Sequence, residues 1–205
     1  MIDRDPLFDR LRRIGHPLDA PPLGAPWNEA ELTDLIGPPQ DLCEAAVLVP
    51  VVDRGGSPHL LLTRRTDGLR HHAGQISFPG GRIETADGGP LQAALREAEE
   101  EIGLPRDATE AVGYLDPLAT ITGFRVVPVL GLVRGAPPLR PDPGEVAEAF
   151  EVPLAFALDP ANLAEHQREF RGRMRRYHAI HWRHYEIWGA TASMIANLSR
   201  RLREE

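Results

Sequence analysis

Apolar positions along the chain change their period several times, and each change marks an element. Residues 5–14, DPLFDRLRRI, set Leu7, Leu11 and Ile14 on one side of a short helix. From Gly15 to Asp41 proline and glycine dominate, so an extended lead-in with one helical turn is expected. EAAVLVPVVD (44–53) is an apolar run of strand length, RGGSP a turn, and HLLLTRR (59–65) a second strand, together a hairpin. Residues 68–89 hold too many glycines for a regular element and read as a loop with a short strand around Ile76–Phe78. A helix is predicted from Pro90, a favoured first helical residue, to about Glu101, with Gly103 and Pro105 stopping it. Residues 111–122 and 125–135 read as two further strands, and 141–158 as a loop followed by a short helix or turn. The stretch 165–182 alternates like a polar-faced hairpin around Gly172. The last stretch, 189–205, is helical, with Ala192, Ile195, Ala196 and Leu202 near one face. Strands mixed with two or three helices, without regular βαβ repetition, predict an α/β protein. It has one mixed sheet with helices on both faces, in a single domain. Residues 1–43 form its N-terminal helix and lead-in, and 44–205 its body.

Composition narrows the function classes. The 205 residues are 42% hydrophobic and 26% charged, ordinary for a globular protein. No apolar run approaches the roughly 18 residues of a membrane helix, and the N-terminus lacks the apolar stretch of a secretory signal. One cysteine, Cys43, excludes an internal disulfide and a cysteine metal cluster. A cytoplasmic protein without membrane partners is expected, either monomer or homodimer. The formal net charge of −7 argues against nucleic acid as a partner while leaving small anions open, because a metal and local arginines reverse the field at one site.

The helix near residue 100 is the candidate for chemistry. At about 100° per residue, Leu91, Ala94, Leu95, Ala98 and Ile102 share an apolar arc. Glu97, Glu100 and Glu101 form a second arc at i+3 and i+4 spacing, and Glu99 points elsewhere. Carboxylates converging from one face suit Mg²⁺ or Mn²⁺. Their place near the helix C-terminus is unfavourable without a compensating cation. Glutamate is also a good helix former on solvated faces, so the helix alone decides nothing. The preceding SFPGGR adds a glycine pair after a strand, where backbone approaches a ligand closely.

Gly81, Asp87 and then Arg96-Glu97-Ala98-Glu99-Glu100-Glu101-Ile102-Gly103-Leu104 resemble the signature of the Nudix hydrolases. That signature runs Gly, five residues, Glu, seven residues, Arg-Glu-apolar-x-Glu-Glu-x-Gly-apolar. Two departures stand out: Asp87 replaces the first Glu, and eight residues separate it from Arg96. Both look like the usual form of the branch that hydrolyses coenzyme A. Leu61-Leu62-Thr63-Arg64-Arg65, Arg70, Gly74 and Phe78-Pro79-Gly80-Gly81 resemble the upstream motif of the same branch, with Thr66 where Ser or Ala is usual. TGFRVVPVLG, EVAEAFEVPL and IWGATA extend the likeness over roughly residues 44–195.

The resemblance implies an α/β/α sandwich and metal-dependent hydrolysis of a diphosphate bond. From coenzyme A or its derivatives it yields 4′-phosphopantetheine and adenosine 3′,5′-bisphosphate. Glu97, Glu100 and Glu101 are then the ligands of Mg²⁺ or Mn²⁺, with the Gly81 carbonyl a fourth and Arg96 orienting the glutamates. The proton of water goes to a glutamate of this cluster or to one from another loop, Glu145 first and Glu148 next. Arg65, Arg70 and the backbone of Gly80 and Gly81 meet the substrate, since an arginine fork fits phosphate oxygens. The arginines at 168, 171, 173, 175 and 176 could grip the 3′-phosphate of coenzyme A or RNA, but alternating charges on an exposed hairpin explain them more simply. Two alternatives remain: a Nudix hydrolase of ADP-ribose, dinucleoside polyphosphates or other nucleoside diphosphates, and a catalytically silent nucleotide-sensing module.

Overall fold

The computed structural model describes residues 6–68, 73–135 and 137–205. In chain order the elements are α1 (Pro6–Ile14), α2 (Glu29–Leu32), β1 (Cys43–Asp53), β2 (Pro58–Arg65), β3 (Ile76–Ser77), β4 (Gly80–Arg82) and α3 (Pro90–Ile102). There follow β5 (Thr109–Tyr114), β6 (Leu118–Ala119), β7 (Phe124–Val133), β8 (Val146–Pro153) and α4 (Leu154–Leu158). Last come β9 (Leu163–Phe170), β10 (Arg173–Trp182), β11 (Tyr185–Trp188) and α5 (Ala190–Glu204).

Side chains alternate across a strand, and β1 buries both of its faces. Ala45, Val49 and Val51 enter one core, while Ala46, Leu48 and Val52 enter another. Its neighbour β7 runs parallel to it from Cys43↔Phe124 to Val52↔Val133 and is likewise an apolar run. A parallel pair covered on both faces explains why neither strand shows polar alternation. The main sheet follows the order β3-β2-β1-β7-β5, with β4 on β1, β6 on β7 and β8 on β2. All pairings except β1–β7 are antiparallel. One face is covered by α3, whose Ala93, Ala94 and Ala98 bring its axis close to the strands. The other is covered by α1, α4 and α5 through Leu11, Ile14, Leu154, Ile195, Leu198 and Leu202. This is the α/β arrangement with a mixed central sheet and helices on both faces.

A second sheet, β9-β10-β11, packs Ile180 and Ile187 into the α5-side core. It is tied to β8 by Tyr185 stacked on Phe150 at 3.8 Å. Arg171 and Gly172 both have positive φ at the tip of the β9–β10 hairpin, the geometry that matches strand twist in a two-residue turn. Asp116, after β5, accepts from His16 (2.8 Å), Arg201 (2.7 Å) and Asn197 (2.9 Å), joining the lead-in to α5. Among the described residues no helix is long and apolar enough to cross a membrane.

Four details differ from the expectations. The glycine pair lies in β4, since Gly80 and Gly81 pair with Val47 and Ala46 of β1. Residues 111–122 form two short strands because Pro117 has no N–H for the ladder and Asp116 turns toward α5. Residues 146–153 are an edge strand rather than loop, its alternation blurred by one glutamate on each face, Glu148 and Glu151. The short β11 completes the second sheet as its third strand.

Candidate active site

α3 ends in a left-handed Gly103 at φ 65°, with Leu104 N–H donating to Ala98 O and Gly103 N–H to Glu99 O. This closure satisfies the last carbonyls and fixes the final turn that carries the glutamates. The three acids on that turn are not equivalent. Glu101 is 4% exposed, Glu97 17% and Glu100 60%, a gradient from sheet to solvent. Glu99 points away and pairs with Arg106 at 2.7 Å.

The glycines let α3 lie against β4. A Cβ on Gly80 would stand 2.5 Å from Val47 Cα. A Cβ on Gly81 would stand 2.5 Å from Glu97 Oε1, so the Glu97 carboxylate rests on the Gly81 backbone. Gly80 N–H points at Glu101 Oε2 across 3.4 Å. Arg96 gathers the rest. Its Nε and Nη2 donate to the two oxygens of Asp87 at 3.0 and 2.9 Å, and Nη2 also reaches Arg82 O at 3.1 Å. Nη1 donates to Glu97 at 2.9 Å and Glu100 at 3.0 Å. Asp87 in turn accepts from Glu84 N–H at 2.8 Å and closes the loop before α3. The fork therefore fixes loop and helix to one another, which the spacing alone did not reveal for Asp87. The signal was present, however. A shorter acid preceded by the same five residues and followed by one extra residue still reaches the same guanidinium.

A register shift in the β2–β8 pairing falls between Arg64 and Arg65. Such a bulge re-aims side chains. Arg64 goes to Asp67 at 2.9 Å, whereas Arg65 turns to the site, 3.6 Å from Glu101 and 4.0 Å from Glu145. Arg65 Nε is buried without a partner. Glu145 precedes β8 and is half exposed, facing the same arginine. Glu148 is committed to the Tyr185 hydroxyl at 2.7 Å. Arg70 lies outside the described residues.

Electrostatics follow this geometry. Burial pushes the Glu101 carboxyl up to about 8; the Arg65 charge pulls it back, while Glu97 and Glu145 add to the rise. Burial also raises Glu97, against the pull of Arg96 and with a push from Glu100 and Glu145. Asp87 is held below its ordinary value by the Arg96 hydrogen bonds. Among the described residues no three acidic side chains close on one point as a finished coordination set. The donors nonetheless fit a hard divalent cation. They are oxygens on one helical turn, one of them a buried carboxylate with only long contacts. A glycine beside them leaves the space a Cβ would fill.

Comparison with known proteins finds a family model and a set of relatives. The NUDIX domain family model matches residues 43–174. A protein of Cronobacter sakazakii named "Uncharacterized Nudix hydrolase NudL" is 43% identical over 162 residues, 79% of this chain and 84% of its own length. Its namesake in Salmonella paratyphi B is 43% identical over 156 residues, 76% and 81% of the two chains. Among solved structures, the Nudix hydrolase RenU of M. smegmatis aligns with a TM-score of 0.47 at 26% identity, over 55% of this chain and 71% of that one.

Proposed function

The chain belongs to the Nudix hydrolase family, and from that premise we propose that it hydrolyses the diphosphate bond of coenzyme A or its derivatives. The products are 4′-phosphopantetheine and adenosine 3′,5′-bisphosphate. One observation carries the reading. Arg65, from the Leu61–Arg65 segment that resembles the coenzyme A branch, leaves its strand mates and joins Glu101 and Glu145 beside the glycine pair. An arginine with a buried, unpartnered Nε at that corner suits a diphosphate oxygen.

Glu97, Glu100 and Glu101 would hold Mg²⁺ or Mn²⁺, with the Gly81 carbonyl beside them. When bound, the ion neutralises diphosphate charge and lowers the pKa of coordinated water. The remaining work falls to the chain. Arg96 fixes Glu97 and Glu100 to the loop through Asp87, so the acids keep their spacing. Arg65 orients the diphosphate and shields Glu101 from Glu145. Glu145, free of the tyrosine contact that occupies Glu148, takes the proton of the attacking water. Water adds across the P–O–P bridge: its oxygen bonds one phosphorus, and the bridging oxygen departs with the other as a phosphate monoester.

Product analysis after incubation with coenzyme A and Mg²⁺, with and without chelator, tests the reading. A panel containing ADP-ribose and dinucleoside polyphosphates runs beside it. Both expected products should form, and only with metal. Comparable turnover of ADP-ribose would remove the coenzyme A assignment. Binding without turnover, unchanged in Glu101→Gln, would make the chain a nucleotide sensor instead.

A further inference from the structure

The second sheet has two dissimilar faces. Cross-strand register puts Leu163, Ile180 and Ile187 on the inner one, in the core. On the outer one, His166 stacks on Tyr177 at 5.4 Å, Tyr177 meets Trp188 edge-on at 6.2 Å, and His181 meets His166 at 6.4 Å. Trp188 is 40% exposed. Three guanidiniums share that face: Arg168, Arg173 and Arg175, with Arg168 directly opposite Arg175. Like charges placed across strands cost stability. One acid answers them: Asp34 of the lead-in lies 3.0 Å from Arg173 and hydrogen-bonds Arg175. Arg168 has no ion-pair partner among the described residues, and Glu186 on the same face is turned to His181 at 3.7 Å. Two nitrogens here, Arg175 Nε and His166 Nε2, are buried without a partner.

Three guanidiniums against two carboxylates, Asp34 and Glu186, is a local excess of positive charge on a chain of net charge −7. The Asp34 carboxylate shows that two of these forks, Arg173 and Arg175, hold an oxyanion. The exposed Trp188 ring supplies a π surface for a base, and guanidinium forks suit phosphate oxygens. We propose that this outer face binds a free mononucleotide carrying a phosphate monoester. Its base lies on the exposed Trp188 ring, and its phosphate meets Arg168 and Arg173 in place of Asp34. A nucleic-acid strand fits less well, because the platform is a few rings wide and the rest of the chain repels polyanions. The face shares no residue with the α3 site, so the inference does not rest on the catalytic reading.

Adenosine 3′,5′-bisphosphate is the probe, titrated into the whole protein by calorimetry in the presence of chelator. Adenosine, inorganic phosphate and a single-stranded oligoadenylate are titrated separately. Saturable binding is expected, with adenosine and phosphate each at least about tenfold weaker. Arg168→Ala should weaken the nucleotide about tenfold and Arg168→Glu further, while Asp34→Asn strengthens it several-fold. Arg168 is exposed and pairs with no described acid, so both replacements should fold. Coenzyme A hydrolysis with Mg²⁺ by Arg168→Ala should match that of the unaltered protein. The proposal falls if the protein does not bind the nucleotide or if both Arg168 variants bind it unchanged. It falls equally if the oligoadenylate is preferred, or if Arg168→Ala raises KM for coenzyme A and so places the arm on the substrate.

Discussion

Two adjacent glycines give separable tests of packing and chemistry. An added Cβ at Gly81 would meet Glu97 Oε1 at 2.5 Å, Cδ at 2.6 Å and Oε2 at 2.8 Å, all at the far end of a flexible side chain. Ordinary contact begins near 3.4 Å, so the carboxylate must retreat by about 0.9 Å. The backbone at Gly81 is not left-handed, and the Glu97 side chain swings aside at little cost to folding. Gly81→Ala should therefore change stability by less than about 1 kcal/mol. A displacement of about 1 Å in a positioned group lowers rates by about 100-fold, equivalent to about 2.7 kcal/mol of transition-state stabilisation. At Gly80 the same methyl would meet Val47 Cα at 2.5 Å, and backbone cannot swing aside. Gly80→Ala should cost about 3 kcal/mol or more of folding stability by parting β4 from β1. Thermal melts and steady-state kinetics with coenzyme A and Mg²⁺ measure both quantities. If Gly81→Ala keeps turnover within about threefold while folded, the Glu97 carboxylate is not a group whose position matters to catalysis.

Further outcomes follow from the charges. Arg96→Lys keeps the charge but not the fork that joins Asp87 to Glu97 and Glu100, so kcat should fall about 10- to 100-fold without unfolding; unchanged kcat would deny Arg96 its positioning role. Glu101 near 8 when folded lies above its ordinary 4.5, so the metal-free protein loses stability as pH rises from 4.5 to 8. At 1.36 kcal/mol per pH unit the loss is about 3 kcal/mol at pH 7. Glu101→Gln should restore it in urea denaturation with chelator and restore nothing at pH 4. Burial raises Asp116, but hydrogen bonds from Asn197 and His16 and the Arg201 charge outweigh it and hold the group at about 2. Its contribution is thus full above its ordinary 3.8 and lost as pH falls toward 2. Asp116→Asn should cost about 2 kcal/mol at pH 7, and a deficit constant down to pH 2 would refute the ion-pair account.

Much of this architecture was legible in the order of apolar residues. The β1–β2 hairpin, α3 and its glycine stop, the Gly172 hairpin and α5 follow from period and punctuation, because one-face or two-face burial leaves that record. Strand β8 was not legible. It lies at an edge, and Glu148 and Glu151, on opposite faces, put a charge among the apolar positions of each face, so neither shows the clean alternation of a half-buried strand. Residues 111–122 read as one strand because apolar residues recur along them, with Tyr114, Leu115, Leu118 and Ala119 buried; Pro117 and the Asp116 contacts, not hydrophobicity, divide them.

The candidate site shows the same boundary between what a helix dictates and what neighbouring strands add. Helical geometry alone puts Glu97, Glu100 and Glu101 on one arc and Glu99 off it, and the chain folds that way. Geometry of one helix cannot rank the three, because burial depends on what covers the arc. Strand β4 approaches so closely, through two glycines, that Glu101 is enclosed and Glu100 left in solvent. The bulge at Arg64/Arg65 is equally invisible locally, since either arginine would satisfy a phosphate. Pairing with β8 selects Arg65, and the same strand brings Glu145 to it while Tyr185 removes Glu148. The acids are thus specified by local sequence, but their unequal environments are specified by β4 and β8, two strands that the apolar pattern does not mark. A change in either strand should alter the chemistry of α3 without touching a glutamate.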